Sequence, residues 1–336
     1  MSHQHGRVVV AGASGFVGRA LVASYRNAGR KVDLVGRRES TTWADSDALA
    51  TLVDGASIVV NLAGKSVNCR YGAQNRAEIL RSRVETTSAL AKAIARAENP
   101  PPLWINASTA TIYRHAMDRP QTESSGELGT GFSVDVARAW EHALFSPALP
   151  HTRRVALRMA IVLGDGSALR PLVMLTKLGL GGPQLDGPWP VSRRRRAAGT
   201  GHDPGSTGGN QRFSWVHLDD VVRVHHWLEE HPEIDGAVNV TSPHPETNRE
   251  LMAHLRRILR RPVGLPAFRW MLELGTWVLR TETELVLKSR WVLPERLQAA
   301  GYRFEHAHLG AALASILTTS ENDPSVRGLP PAPAAG

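Results

Sequence analysis

Short β-branched runs and helical stripes of apolar residues alternate through the first half of the chain. Val8, Val9 and Val10 form the first run and read as a buried parallel strand. Phe16 to Tyr25 then carries apolar residues at helical spacing and stops before Gly29. Lys31 to Val35 is a second strand, Asp45 to Val53 a helix and Ala56 to Ala63 a third strand. Gln74 to Ala97 is a long helix with Ile79, Val84, Leu90 and Ile94 as its apolar positions. Leu103 to Ala107, Val136 to Leu144 and Arg154 to Val162 continue as strand, helix and strand. This alternation predicts an α/β fold built on a doubly wound parallel sheet.

The pattern changes after Gly164. Leu169 to Leu180 reads as a helix. Leu185 to Asn210 is poor in apolar residues, rich in Gly and Pro, and carries the run Arg193 to Arg196. It is too long for an ordinary connection and is expected to be a mobile basic insertion. Phe213 to Leu218 resumes order, with Asp219 and Asp220 placed as N-capping acceptors for a helix through Trp227. A strand at Ala237 to Val240 follows, then helices at Asn248 to Leu259, Met271 to Leu279 and Glu282 to Trp291, and a flexible tail from Pro330. The expected division is a sheet domain over 1–165, completed by about 211–240. A smaller substrate lobe comes from 166–210 and 241–325, and 326–336 is tail.

The totals narrow the class. One cysteine, Cys69, excludes an intrachain disulfide and a cysteine-rich metal site. No apolar run is long enough to span a bilayer, and MSHQHGRVVV lacks a signal peptide's apolar core. A cytoplasmic protein without a membrane partner is therefore expected. The net charge of +9 raises the possibility of a nucleic-acid partner. The Arg193–Arg196 run has no interleaved aromatic residues for stacking, so a small-molecule substrate is the favoured partner. The oligomeric state is not legible.

The candidate chemistry starts between the first strand and the first helix. Gly12, Gly15 and Gly18 lie there, with Ser14, Phe16 and Val17 between them. Glycine permits a tight turn and close approach of backbone to a pyrophosphate, and the helix start offers free N–H groups and partial positive charge. A Rossmann dinucleotide site follows, with these six residues as contacts. The third strand ends in Leu62, Ala63 and Gly64, small residues that form a second candidate edge. The second strand ends at Arg37 and Arg38, where an acidic residue would hold the ribose of NAD. Asp33 lies too early for that role. The arginines favour NADP over NAD.

Several motifs then resemble one family. GASGFVG, NLAG, ILRSRVETTSAL (Ile79 to Leu90), ARAWE (Ala137 to Glu141), LGLGG (Leu178 to Gly182), FSWVHLDD (Phe213 to Asp220) and VLPERLQAAGYRF (Val292 to Phe304) occur in order. Together they resemble the epimerase-family branch of the extended short-chain dehydrogenase/reductases, the nucleoside-diphosphate-sugar-epimerase-like proteins with a C-terminal DUF1731 domain. The resemblance implies NAD(P) binding by the Rossmann domain and a substrate lobe from the C-terminal part. It also implies a Tyr-x-x-x-Lys pair, with the Tyr as general acid/base and the Lys lowering its pKa. Those positions fall near Ser133 and Ala137, and none of the four tyrosines has a lysine four residues on.

What remains for catalysis is the Ser108/Thr109 strand end and Tyr113. Ser108 is the expected carbonyl-polarising hydroxyl, with Tyr113 reaching the same cleft. The alternative is structural, with Ser108 capping the turn and Tyr113 packing beneath the lobe. Arg70 and Tyr71 are candidates to face an anionic substrate. His217 and Asp219 alone make a weak metal signal, and no metal is expected. The leading reading is an NADP-dependent oxidoreductase or epimerase-like enzyme acting on a small polar or sugar-like molecule. The alternative is a non-catalytic NADP-binding regulatory protein.

Overall fold

The structure is a computed structural model and describes residues 6–166, 169–201, 208–278 and 287–322. β1 (Val8–Ala11), β2 (Val32–Val35), β3 (Ile58–Asn61), β4 (Leu103–Thr109), β5 (Arg153–Met159) and β9 (Gly236–Val240) form one sheet in the order β2-β1-β3-β4-β5-β9. Every neighbouring pair is parallel. The chain leaves β1 in one direction for β2 and in the other for β3, so the strand order reverses there. In open parallel sheets such a reversal leaves a crevice at the carboxyl ends of the strands.

Both faces of the sheet are covered, which is why its strands read as apolar runs rather than alternating ones. On one face Val8, Val10, Ile58, Val60, Ile105 and Leu157 pack against Leu21 and Tyr25 of α1 (Phe16–Asn27) and Val221 and Leu228 of α7 (Leu218–Glu230). On the other face Val9, Val59, Trp104 and Ala156 meet α2 (Ser46–Val53), α3 (Ala73–Arg96) and α4 (Phe132–Phe145) through Leu49, Leu90, Ile94 and Leu144.

The expected strand from Arg154 to Val162 is two strands in two sheets. The Ala160 N–H still bonds to the Val240 carbonyl, but the Ile161 N–H turns to Ser214. β6 (Ile161–Leu163) then pairs with β8 (Trp215–His217), away from the main sheet. A second small sheet joins β7 (Arg212–Phe213) to β10 (Glu246–Thr247). With α5 (Leu169–Lys177), α8 (Asn248–Ile258) and α11 (Leu309–Asn322) these build a second core around Leu163, Leu169, Trp215, Met252 and Leu313. Thr247 and Glu250 close a capping box at the start of α8. The late chain also returns to the main core, where Leu297 of α10 (Glu295–Ala299) and Tyr302 are buried.

Two local expectations change. The basic run of the expected mobile insertion is, over Arg193–Ala197, helix α6, capped by Ser192, whose Oγ accepts from the Arg195 N–H at 3.3 Å. Arginine is a good helix former, so four in a row do not oppose a turn of helix. The cap of α7 is His217 rather than either aspartate. Its Nδ1 accepts from the Asp219 N–H at 3.2 Å. Asp220 is fully buried and accepts instead from the Glu305 and His306 N–H groups at 2.8 and 2.9 Å. Residues 202–207 of the expected insertion, Leu279, the first half of the expected Glu282–Trp291 helix and the 326–336 tail lie outside the described residues, and Lys288 to Trp291 of that expected helix is not helical. Among the described residues no helix is long and apolar enough to cross a membrane.

Candidate functional site

The glycine loop and the end of β3 meet at the reversal point. Gly12 has φ +82°, and a Cβ on it would lie 2.6 Å from the Leu62 carbonyl carbon and 2.8 Å from the Ala63 nitrogen. A Cβ on Gly18 would lie 2.3 Å from the Gly12 oxygen. Only glycine allows both approaches. The Gly15 N–H bonds back to Gly12 at 3.0 Å, and Gly15 then caps α1 without a side chain. The first turn of α1 contains no acidic residue. The opening N–H groups of that helix, at Phe16, Val17 and Gly18, therefore keep their donors and the positive end of the helix dipole for a ligand. Ser14 is exposed at the lip of the loop, its carbonyl held by Arg19 at 2.6 Å.

Asn61 fixes the other edge. Its Oδ1 accepts from the Ala63 N–H at 3.1 Å, while its Nδ2 donates to Asn106 at 2.7 Å and to Thr87 at 3.1 Å. Trp140 Nε1 donates to the same Thr87 hydroxyl at 3.0 Å. This buried set ties the Leu62–Gly64 turn to α3, α4 and β4. At the end of β2, Arg37 and Arg38 are exposed, on a turn closed by the Gly36 N–H to Thr41 bond at 3.2 Å. Neither guanidinium makes a hydrogen bond or ion pair among the described residues. The eleven residues of these three segments leave backbone donors, a cradle that a Cβ would fill and two open cations around one crevice. That donor set fits a dinucleotide carrying an additional phosphate.

Ser108 and Tyr113 are brought together, but through a buried chain. Ser108 is 4% exposed and donates to Glu141 Oε1 at 2.7 Å. Arg158, its neighbour across the strand pair, binds both oxygens of Glu141, at 2.8 and 2.7 Å. Arg158 Nη1 also donates to the Tyr113 hydroxyl at 2.8 Å, and that hydroxyl donates to Asn239 Oδ1 at 3.0 Å. Tyr113 is 1% exposed, and burial pushes its pKa up despite the pull of Arg158. Burial also works against the Arg158 cation, but the bonds and charge of Glu141 outweigh it and hold the guanidinium protonated. Both hydroxyls are thus engaged with protein partners. Tyr113 packs against Val292 of the late chain, as the structural alternative has it, but Ser108 does not cap the turn, since that bond belongs to Thr109.

Thr109 points to the opposite face of β4 and is half-buried. Its Oγ1 accepts from the Thr111 N–H at 3.2 Å, and its own proton has no acceptor among the described residues. Ser133 is half-buried at the start of α4, and Ala137 is fully buried against Ile112 and Val134.

Arg83 borders the candidate site beside Gly64, and the motif reading does not single it out. Its guanidinium carbon would lie 3.2 Å from a Cβ on Gly64, and it sits 5.0 Å from the Trp140 ring. Nη1 donates to the Lys65 and Ile79 carbonyls at 3.1 and 3.0 Å. It has no carboxylate partner among the described residues, and burial lowers its pKa. The signal was present in the sequence. Ile79, Arg83, Thr87, Leu90 and Ile94 share one helical stripe, and a lone cation there is out of pattern. Arg70 and Tyr71 line a cavity of about 600 Å³ beyond this edge. His306 joins His217 and Asp219, with side-chain ligand atoms within 4.8 Å of one another, and the two imidazoles stack at 3.7 Å.

The comparisons with known proteins agree with this geometry. Residues 8–133 match the NAD dependent epimerase/dehydratase family, and residues 267–316 match the domain of unknown function DUF1731. Epimerase family protein SDR39U1 of Bos taurus is 31% identical over 323 residues, spanning 93% of this chain and 99% of its own. Epimerase family protein YfhF of Bacillus subtilis is 26% identical, spanning 92% and 97%. Human SDR39U1, crystallised with NADPH, superposes with a TM-score of 0.78 at 29% identity, covering 93% of this chain and 99% of that one. The resemblance read from the motifs therefore holds along nearly the whole sequence, and the chain belongs to the epimerase family that includes SDR39U1.

Proposed function

We propose that this protein is an NADPH-dependent oxidoreductase that reduces a carbonyl group on a small polar substrate. The observation that carries the cofactor assignment is the convergence of Gly12, the open start of α1 and the unpaired Arg37 and Arg38 on one crevice. Human SDR39U1, similar over the same length, holds NADPH. The phosphate bridge fits the α1 N-terminus, the additional phosphate fits Arg37 and Arg38, and Leu62 to Gly64 form the wall beyond. NADPH, when bound, supplies a hydride.

The residues beside that wall divide the remaining work. As the carbonyl gains a hydride, its oxygen gains negative charge. The unengaged Thr109 hydroxyl would hydrogen-bond to that oxygen, Arg83 would supply a fixed positive charge at the edge of the site, and the alkoxide would take its proton from solvent water. Arginine does not release its proton near neutral pH, so Arg83 stabilises charge and does not shuttle protons. Ser108 and Tyr113 act as positioning residues that hold the Glu141–Arg158 pair under β4. Without a Tyr-x-x-x-Lys pair, abstraction of a proton from an unactivated alcohol lacks its base, so carbonyl reduction is favoured over epimerisation.

The second reading is a non-catalytic NADPH-binding regulator. Ala137, packed into an apolar cluster where a lysine would be needed, supports it. The two separate in one assay. NADPH oxidation followed by absorbance across a panel of aldehydes and ketones detects the enzyme. Firm NADPH binding with no oxidation over the panel would favour the regulator.

A further inference from the structure

The cavity beyond the β3 edge has an unusual lining. Four arginines face it from two separate parts of the chain: Arg70 and Arg76 at the start of α3, and Arg194 and Arg195 on α6. Among the described residues the one carboxylate in the lining is Glu273 of α9 (Arg269–Val278). That carboxylate is already committed. Its Oε1 takes two bonds from the buried Arg269, at 2.9 and 2.7 Å, and its Oε2 lies 3.7 Å from Arg195. The Arg194 guanidinium has no hydrogen bond or ion pair among the described residues, and that of Arg76 reaches only the Tyr71 carbonyl, at 3.1 Å. Among the described residues the lining therefore carries four arginines against one glutamate, a formal excess of three positive charges.

Like charges crowded around one opening repel each other and focus a positive potential into it. A multiply charged anion relieves both. Guanidinium groups pair bidentately with phosphate and carboxylate, which adds geometry to the charge. Apart from Thr200, the rest of the described lining is small, apolar or aromatic. Trp189 and Trp270 contribute ring faces, and Trp270 and Leu274 are each 57% exposed. Flat rings and guanidinium planes recognise a flat ring by stacking. A volume of about 600 Å³ accommodates such a molecule. The cavity also borders the Gly64 edge, because its Tyr71 lies close enough to act electrostatically on Arg83, whose guanidinium abuts Gly64.

We infer that this cavity binds an organic anion carrying at least two negative charges next to a flat ring. Given the reductase reading above, this anion is the substrate or the part of it that anchors the carbonyl. The shared chemistry is an aryl dianion, with phosphate or paired carboxylates as its source.

Calorimetric titration of the NADPH-loaded protein tests this with four probes: 1-naphthyl phosphate, a naphthalene dicarboxylate, 1-naphthol and inorganic phosphate. At least one aryl dianion should bind roughly tenfold or more tighter than both 1-naphthol and inorganic phosphate, and the tighter of the two identifies the anion. Raising the salt should weaken it. Arg194→Gln/Arg195→Gln, and separately Arg76→Gln on the other wall, should each lower that affinity by roughly tenfold. NADPH affinity should stay within about twofold in these variants, which reports that the sheet domain remains folded. Dianion binding no tighter than 1-naphthol, or binding that neither variant weakens, would overturn the inference. Failure of NADPH to bind the unmodified protein would strike the cofactor reading alone, because the dianion titration can be repeated without NADPH.

Discussion

Gly12 and Leu62 touch backbone to backbone: a Cβ on Gly12 would lie 2.6 Å from the Leu62 carbonyl carbon. The same residue holds φ at +82°, which side chains other than glycine's rarely adopt. Gly12→Ala must therefore both strain the loop and push it from β3. Stability should fall by ~1–3 kcal/mol, and NADPH affinity should fall with it because the N–H groups of α1 lose their placement. Thermal unfolding and calorimetric titration of Gly12→Ala check the two effects. A variant with normal affinity would show that the close approach is not needed to form the site.

The Glu141–Arg158 pair predicts an asymmetry. Glu141→Gln leaves the Arg158 guanidinium buried without its anion, which should cost ~3–5 kcal/mol. Ser108→Ala removes one bond and leaves both Arg158 contacts in place, for a cost of about 1 kcal/mol. Denaturant unfolding of the two variants gives the comparison. Equal losses would contradict the placement of Ser108 as an outer link of that chain.

Thr109 and Ser108 separate by turnover. Thr109→Val should lower the rate of carbonyl reduction by ~100-fold or more, the loss expected on removing one oxyanion donor. Ser108→Ala should reduce it far less, and neither should change NADPH affinity. Steady-state kinetics on any substrate from the carbonyl panel decides this. The reverse ranking would return the role to Ser108.

His225 predicts the acid limb of stability. Its ring is fully buried, its Nδ1 donates to the Val221 carbonyl at 2.8 Å, and burial lowers its pKa to about 4. The neighbouring His226 adds to that shift. The unfolded chain takes up a proton near pH 6.5, while the folded chain resists until about 4. Stability should thus be fully present above about 6.5 and decline as pH falls to about 4, by roughly 3 kcal/mol from this group. His225→Phe should flatten that part of the profile in denaturant melts across pH. An unchanged slope would assign the acid limb to other groups.

The sheet domain was legible because its signals are local. A β-branched run, three glycines and an amphipathic helix follow one another within Val8 to Tyr25, and tertiary contacts reinforce each of them. The Ala160 break was not legible, since Val155 to Leu163 is apolar on both sides of Ala160 apart from Arg158, whether it serves one sheet or two. The facing of Ser108 was missed for a related reason. Strand side chains alternate, so a shift of one residue exchanges the buried hydroxyl for the one on the other face. Arg158 and Arg83 left a readable trace, as cations inside otherwise buried stripes, but their partners Glu141 and Gly64 are distant in sequence. The arginine-lined cavity draws on α3, α6 and α9, and no single window of sequence contains it.

The account rests on NADPH occupying the crevice between Gly12, Leu62 and the Arg37–Arg38 turn. Calorimetric titration of NADPH and NADH into the unmodified protein and into Arg37→Ala/Arg38→Ala tests this most directly. NADPH should bind the unmodified protein roughly tenfold or more tighter than NADH, and the double substitution should erase most of that preference while leaving NADH binding nearly unchanged. Equal affinity for the two cofactors, or equal losses for both in the variant, would contradict it.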